Sequence, residues 1–178
     1  MPTWPSRSQP WTQRLPDTQD RYDDEYKRKF LVVVDESPEC AKAVTFAALR
    51  VRRTGGAVVL LSIIEPDNFQ HWLGVEEVMR AEAYENIEAL QARHAASIAA
   101  FGSIKVERVI REGKKTDAIE AQIAEDPAVA ILVLAAADSS EGPGPLVASI
   151  AARGANAFRV PVTVVPGTIS DADLAALC

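Results

Sequence analysis

The residues most able to do chemistry in this sequence stand where two apolar runs end. Asp35 follows the run Phe30–Val34, and Ser37 stands two residues later. The run Ile131–Ala135 is followed by a segment rich in Ala, Asp, Ser, Glu, Gly and Pro. Short apolar runs that end in such segments are typical of strands buried in a parallel sheet. Because open parallel sheets bind ligands beyond the carboxyl ends of their strands, the two segments predict a binding cleft.

The loop after Ile131–Ala135 is poorly suited to hold a phosphate. A phosphate cradle needs several backbone N–H groups that converge on the anion, and glycine lets the backbone come close. Gly142 and Gly144 are each followed by a proline, which has no N–H to donate. Asp138 and Glu141 would set carboxylates against the anion, and the loop contains no lysine. A magnesium ion that bridges Asp138 to a phosphate is the alternative.

Other polar residues have a structural and a chemical interpretation. Asp35 is either a binding acid or a cap for the following helix. His94 lies on the inner stripe of a helix, which favours packing, and Cys40 near a helix start is expected to be inert, although a helix N-terminus can lower a thiol pKa. His71 and Trp72 could cover the cleft, contact a partner or simply pack. Lys114 and Lys115 are expected to face solvent.

The hydrophobic periodicity predicts an α/β fold in which strands and helices alternate. Ser37 is a candidate cap for the first helix, with Pro38 at its first position. Right-handed crossovers then give a three-layer sandwich around a five-stranded parallel sheet. The predicted strands are Phe30–Val34, Ala57–Ile64, Ile104–Ile110, Ala130–Ala135 and Val160–Val165, and the predicted helices begin after Ser37, near Val75, at Thr116 and at Pro145, the last ending near Ala157.

Three segments are expected along the chain. Residues 1–28 contain prolines and mixed charges without periodicity, which predicts a flexible extension whose Trp4 and Trp11 pack on the domain or contact a partner. Residues 29–167 form the domain, and residues 168–178 form a short tail in which Ser170 caps a helix.

Composition excludes several functional classes. The net charge of −6 and the pI of about 5.0 argue against binding to nucleic acid or to anionic membranes. No apolar run is long enough to span a bilayer, and the N-terminus does not have the apolar stretch of a secretory signal. Two cysteines fit a reducing compartment. We therefore expect a cytoplasmic protein.

Three stretches of the domain together resemble the universal stress protein (UspA) family. The stretch VVVDESPE at Val32–Glu39 is similar to the family's first strand with its Asp and following Ser. The stretch LLSIIEP at Leu60–Pro66 resembles the end of its second strand. The stretch VASIAARGANAFRVPVTVVPG at Val147–Gly167 resembles its last helix and strand. The resemblance implies the UspA-type, adenine nucleotide alpha hydrolase-like fold.

The resemblance also implies where a nucleotide would bind. Nucleotide-binding members carry Gly, two residues, Gly, nine residues, then Gly followed by Ser or Thr. With Pro161-Val162 as the anchor, these glycine positions fall on Ala135, Asp138 and Ala148, and only Ser149 matches the pattern. The implied adenine and ribose contacts fall on Asp35, Ile63 and Leu134, with Ser37 beside them. These eight residues are the candidate cofactor-binding set, and their glycine motif is degenerate.

Three functions remain open from the sequence. The first is a non-enzymatic stress-response or regulatory module that works as a dimer with weak or absent ATP binding. The second is an adenine-nucleotide sensor that binds ATP in the cleft at the ends of strands 1, 2 and 4. The third is an enzyme such as a slow nucleotide hydrolase, for which only Asp35 could act as a base. The resemblance implies a homodimer through the last strand, Val160–Val165, and an unknown protein partner is also possible.

Overall fold

The computed structural model describes residues 28–65, 76–140, 142–154 and 158–178. The predicted extension up to residue 27, the loop that carries His71 and Trp72, and Glu141 lie outside the described residues. The strands are β1 (Lys29–Val33), β2 (Ala57–Ile64), β3 (Lys105–Glu112), β4 (Val129–Ala136) and β5 (Val162–Pro166). The helices are α1 (Cys40–Thr54), α2 (Glu76–Ala99), α3 (Lys115–Glu125), α4 (Pro145–Arg153) and α5 (Asp171–Leu177).

The strands form one parallel sheet in the order β3-β2-β1-β4-β5. Strands β1 and β2 are apolar apart from Lys29 and Ser62, because helices cover both of their faces. Strand β3 lies at an edge, and each of its residues is either exposed or half-buried. The five-stranded parallel α/β sandwich predicted from the sequence is confirmed.

Each face of the sheet has its own apolar core. On one face Val32 of β1 and Leu60 of β2 pack against helices α1, α2 and α5. On the other face Leu31 of β1 packs with Ile119 of α3 and Ile150 of α4. Alternate residues of β1 therefore supply both cores, as the period of two in a strand requires.

Several predicted element boundaries are wrong, and three of them bear on the cleft or on the edge of the sheet. Helix α1 begins at Cys40 and its N-cap residue is Glu39, so Ser37 does not cap it. Strand β5 begins at Val162 and not at Val160, since the preceding residue is Pro161, whose ring nitrogen cannot donate to β4. Helix α4 ends at Arg153, and the next residue, Gly154, adopts a φ of 83°. Glycine adopts this left-handed conformation at little cost and commonly ends helices in this way. The predicted end of α4 near Ala157 lies outside the described residues.

Helix α5 packs against α1. The Asp173 N–H donates to Ser170 Oγ at 3.1 Å, which confirms the predicted cap. Leu174 is fully buried in the core that α1 lines, and Lys42 of α1 forms an ion pair of 2.7 Å with Asp171. None of the described helices has the length and apolar character needed to cross a membrane.

Cys40, the first residue of α1, is buried against the end of β1. Its thiol lies 3.9 Å from the Val33 carbonyl oxygen and 3.9 Å from Nε2 of His94 on α2. Burial raises the pKa of Cys40 to about 11, because a thiolate there would be separated from water. The position at a helix start does not make this thiol reactive.

We expect Cys40 to react slowly with iodoacetamide in the folded protein. At pH 8 the raised pKa alone reduces its thiolate fraction about 100-fold relative to an unfolded chain. The measurement is labelling by mass spectrometry in a Cys178→Ser background, with and without denaturing urea. Equal rates in the two conditions would contradict the burial of Cys40.

Two adjacent glycines between α1 and β2 provide a test of the packing at the other end of the sheet. Gly55 has a φ of +76° and no atom within 4 Å of an added Cβ. Gly56 has a φ of +109°, and an added Cβ would lie 2.0 Å from the Arg28 carbonyl oxygen. Both positions strain an L-residue, but only Gly56 also produces a steric clash.

Gly55→Ala is expected to lower the free energy of unfolding by about 1–3 kcal/mol, the usual cost of a strained backbone. Gly56→Ala is expected to lower it by at least about 2 kcal/mol more, since the clash is with backbone that cannot rotate away. Urea denaturation of both variants gives the comparison. Similar losses for the two variants would show that the chain at Arg28 does not lie against Gly56.

Candidate functional site

The candidate site lies where β1 and β4 meet at their carboxyl ends. Helix α1 leaves β1 toward one face of the sheet, and α4 leaves the β4 loop toward the other face. This divergence between neighbouring strands opens the crevice in which open α/β sheets bind ligands. The cleft here is narrow, with a volume of about 70 Å³. Residues that line it include Asp35, Glu39, Lys115, Leu134 and Gly144.

Asp35 is exposed at the end of β1 and lines the cleft. Its Oδ1 accepts a hydrogen bond of 3.0 Å from the Ser37 N–H. This turn around Asp35 takes up the residues that the sequence assigned to the start of α1, which is why the helix begins later. Ser37 nevertheless lines the cleft, so both residues stand where a ligand would enter.

The apolar candidates come from β2 and β4. Leu134 is buried in the floor of the cleft, and Ile63 is half-buried and packs against the same core. Ala135 is half-buried and also lines the cleft. The structure therefore brings Asp35, Ser37, Leu134 and Ala135 together, as the resemblance implied.

The loop after β4 is closed by its own hydrogen bonds. The Ala137 N–H donates to the Pro143 carbonyl at 3.1 Å, and the Gly142 N–H donates to the Ser139 carbonyl at 3.2 Å. Asp138 is exposed. The N–H groups of Ala137 and Gly142 therefore donate within the loop and are not free to bind an anion.

The backbone of this loop turns at residues that the family pattern does not use. Gly142 has a φ of 111° and Gly144 a φ of 94°, whereas no non-glycine residue in the described ranges has a positive φ. Ala135 and Asp138, which stand at family glycine positions, therefore have an ordinary backbone. The strain expected for alanine in a glycine conformation is therefore absent at Ala135.

Ala148 and Ser149 do not reach the cleft. Helix α4 begins at Pro145, with Gly144 at its N-cap, so both residues lie in the interior of the helix. Both are exposed, and the cleft is lined instead by the first turn of α4, at Pro145, Leu146 and Val147. Ser149 therefore matches the family pattern in sequence without standing at the mouth of the cleft.

Lys115 is a cleft residue that sequence reasoning missed. The sequence predicted that Lys115 faces solvent. In the structure it lines the cleft at the start of α3, and its Nζ lies 3.5 Å from Oε2 of Glu65. The order of the strands explains this, because α3 leaves the sheet edge and crosses toward β4 on the face that carries the cleft. No local sequence signal indicates this placement.

A second cavity borders Asp35 on the side of α2. Its volume is about 400 Å³, and its floor is apolar, with Ile87 and Leu90 of α2. Acidic side chains at its rim are Asp35, Glu36 and Glu65. Within the described ranges, no group of three or more His, Cys, Asp or Glu residues is arranged to hold a metal ion.

His94 packs as the sequence indicated. It is half-buried on α2, close to the Cys40 thiol. Burial and the nearby Arg93 lower the pKa of His94, and Asp35 opposes this only in part. A neutral imidazole beside a protonated thiol is not an activated nucleophile.

Solved structures of similar fold come from several organisms. Universal stress protein UspA from Lactobacillus plantarum is 21% identical with a TM-score of 0.63, and the match covers 79% of this chain and 97% of that one. A universal stress family protein from Arabidopsis thaliana with AMP bound is 18% identical with a TM-score of 0.54, over 81% and 97% of the two chains. A universal stress protein in complex with cAMP is 19% identical with a TM-score of 0.59, over 79% and 97%.

At these identities the structural matches show the shared fold. No curated protein matched the sequence. The model of the universal stress protein family matches residues 27–166, which contain all five strands and the cleft. The chain therefore belongs to the universal stress protein family.

Proposed function

We propose that this protein is a stress-response regulatory module that acts as a homodimer, without catalysis, and binds ATP weakly or not at all. The observation that carries the proposal is the closed loop after β4. Its Ala137 and Gly142 N–H groups are bonded within the loop, and Pro143 and Pro145 have no N–H. A triphosphate entering this cleft meets few of the converging donors that it needs.

The charges around the cleft support the same conclusion. Asp35 and Glu39 line it and would repel an anionic ligand. Lys115 is the cation that lines the cleft among the described residues, and it is already close to Glu65. A triphosphate would have to compete with Glu65 for this lysine and overcome the two carboxylates.

The size of the cleft also limits what can bind. Small-molecule sites usually measure about 300–1,000 Å³, whereas this cleft measures about 70 Å³. A nucleotide would require the loop and the first turn of α1 to move apart. That movement would cost free energy and weaken binding.

The second candidate function is an adenine-nucleotide sensor. The cavity of about 400 Å³ beside Asp35 has the size and the apolar floor that an adenine ring requires. AMP and cAMP are bound in two of the structures with the same fold. A ligand with one phosphate would bring less charge to the acidic rim than ATP.

A thermal-shift experiment on the full chain tests these two functions. A ligand at 100 times its dissociation constant adds about 2.7 kcal/mol to the free energy of unfolding. We expect 1 mM Mg-ATP to leave the melting midpoint unchanged because the loop offers few free donors. AMP and cAMP are measured in parallel.

Asp35→Ala distinguishes specific binding from a general salt effect. Glu88→Ala, at an exposed position on α2, is the control that removes the same charge away from the cleft. A nucleotide-induced rise that is present in Glu88→Ala and lost in Asp35→Ala would favour the sensor. A large rise with Mg-ATP in the unmodified chain would overturn weak ATP binding.

The absence of catalysis is inferred from the chemistry of the described residues. Among the described residues, the Cys40 Sγ lies 3.9 Å from Nε2 of His94, which sets a possible nucleophile beside a possible base. Burial raises the pKa of the Cys40 thiol, so this thiol stays protonated. Asp35 accepts a hydrogen bond from the backbone N–H of Ser37, and among the described residues no hydrogen bond joins its carboxylate to the Ser37 hydroxyl, so this serine is not activated by Asp35. These features support regulation through binding.

The outer surface of β5 supports a homodimer. β5 is an edge strand, and its Val162 and Val164 are large exposed apolar residues. They border an apolar groove of about 410 Å³ that also contains Val147, Ile150 and Phe158. Open apolar edge strands promote association, so a second copy that covers β5 explains this composition.

Val164→Lys is expected to convert the dimer to a monomer, because it places a charge in the proposed interface. Val78→Lys is the matched control: Val78 is 58% exposed on α2, compared with 42% for Val164, and is remote from β5. Size-exclusion chromatography with light scattering gives the mass of each variant. A monomeric unmodified protein at micromolar concentration, or a dimeric Val164→Lys, would contradict this interface.

A further inference from the structure

We propose that residues 167–178, which we name the C-terminal clamp, hold the cleft closed and that release of the clamp admits phosphate-bearing nucleotides. The clamp lies beyond residues 27–166, the part of the chain that matches the family model. The proposal rests on the weak nucleotide binding inferred above and gives that weakness a structural cause. The clamp is thereby a regulatory element built onto the shared domain.

The clamp contacts the loop wall of the cleft through Gly167. The Gly167 N–H donates to the Ala136 carbonyl oxygen at 2.9 Å, which continues the β4–β5 ladder by one bond directly before the loop begins. A Cβ added to Gly167 would lie 3.1 Å from this oxygen and 3.7 Å from the Asp138 nitrogen. The backbone of the clamp is therefore packed against the first residues of the loop.

Gly167 also contacts the opposite wall. The same added Cβ would lie 2.9 Å from Cβ of Glu39, which lines the cleft at the start of α1. A distance below 3.0 Å leaves no room for a side chain. One residue of the clamp thus stands between the loop wall and the α1 wall and touches both.

The rest of the clamp is anchored along α1. Leu174 is fully buried, and the Sγ of Cys178 lies 3.8 Å from the Phe46 carbonyl oxygen. Asp171 pairs with Lys42 at 2.7 Å. Helix α5 packs against α1, whose start forms one wall of the cleft. Gly167 is hydrogen-bonded to Ala136, directly before the loop that forms the other wall. The docked clamp therefore holds the two walls together.

Undocking of α5 would remove this tie. The loop could then separate from α1, and its N–H groups at Ala137 and Asp138 could turn toward an anion. A short helix held by two buried side chains, Leu174 and Cys178, and one ion pair is the kind of element that opens locally without global unfolding. The state of the clamp would then control how well the cleft accepts a nucleotide.

Leu174→Ala in the full chain tests the clamp, with Leu177→Ala as the matched control. Leu174 is buried, whereas Leu177 is 63% exposed on the same helix, so only the first change removes the anchor. Hydrogen exchange at Ala137 and Gly167 is expected to become at least about tenfold faster in Leu174→Ala and to stay unchanged in Leu177→Ala. In Leu174→Ala, 1 mM Mg-ATP is expected to raise the melting midpoint by at least about 2 °C.

Gly167→Ala is the second variant, which keeps the test decisive if Leu174→Ala does not fold. Its added methyl group would push apart Glu39 and Ala136 while leaving α5 intact, and the same two changes are expected. The clamp is overturned if the variants that fold show the exchange of the unmodified chain or gain no response to Mg-ATP. Strong binding of Mg-ATP by the unmodified chain would instead overturn the weak binding on which the clamp rests, whatever the exchange rates.

Discussion

Strand β1 is hydrogen-bonded on both sides and buried on both faces, and the candidate site depends on this position. It pairs in parallel with β2 and β4, and Leu31 and Val32 are fully buried on opposite faces. Because neighbouring strands and apolar side chains surround such a strand on all sides, its polar residues stand only where the strand ends. Asp35 is placed at that end, and the helices that follow β1 and β4 diverge around it to form the cleft.

The fold of this protein and the chemistry of its cleft have separate origins. The sheet order and the two apolar cores require only apolar runs of suitable length and period. The loop after β4 contributes little to those cores, so its composition can change without loss of the fold. In this chain the loop carries prolines, acids and internal hydrogen bonds on that framework.

Residue types near the cleft could be predicted in part from the sequence. Asp35 was placed at the carboxyl edge because it follows an apolar run, whereas Leu134 was named through the family resemblance, and both residues line the cleft. The role of Ser149 in nucleotide binding stays a prediction. Helix α4 begins at Pro145 and places Ser149 in its second turn, outside the residues that line the cleft. Lys115 was missed, because its approach to the cleft depends on a crossover between distant strands. The capping role of Ser37 was wrong because α1 begins only at Cys40, after the turn in which the Ser37 N–H donates to Asp35.

By itself the sequence determined the elements and the fold class, because apolar periodicity is local and is set by which faces must be buried. It also determined that Pro143 and Pro145 offer no N–H to a ligand, since proline has none in any conformation. Only the tertiary structure decided which side chains share the cleft, how narrow the cleft is and that Gly167 touches both of its walls. Those features depend on contacts between residues far apart in the chain, and no local pattern records them.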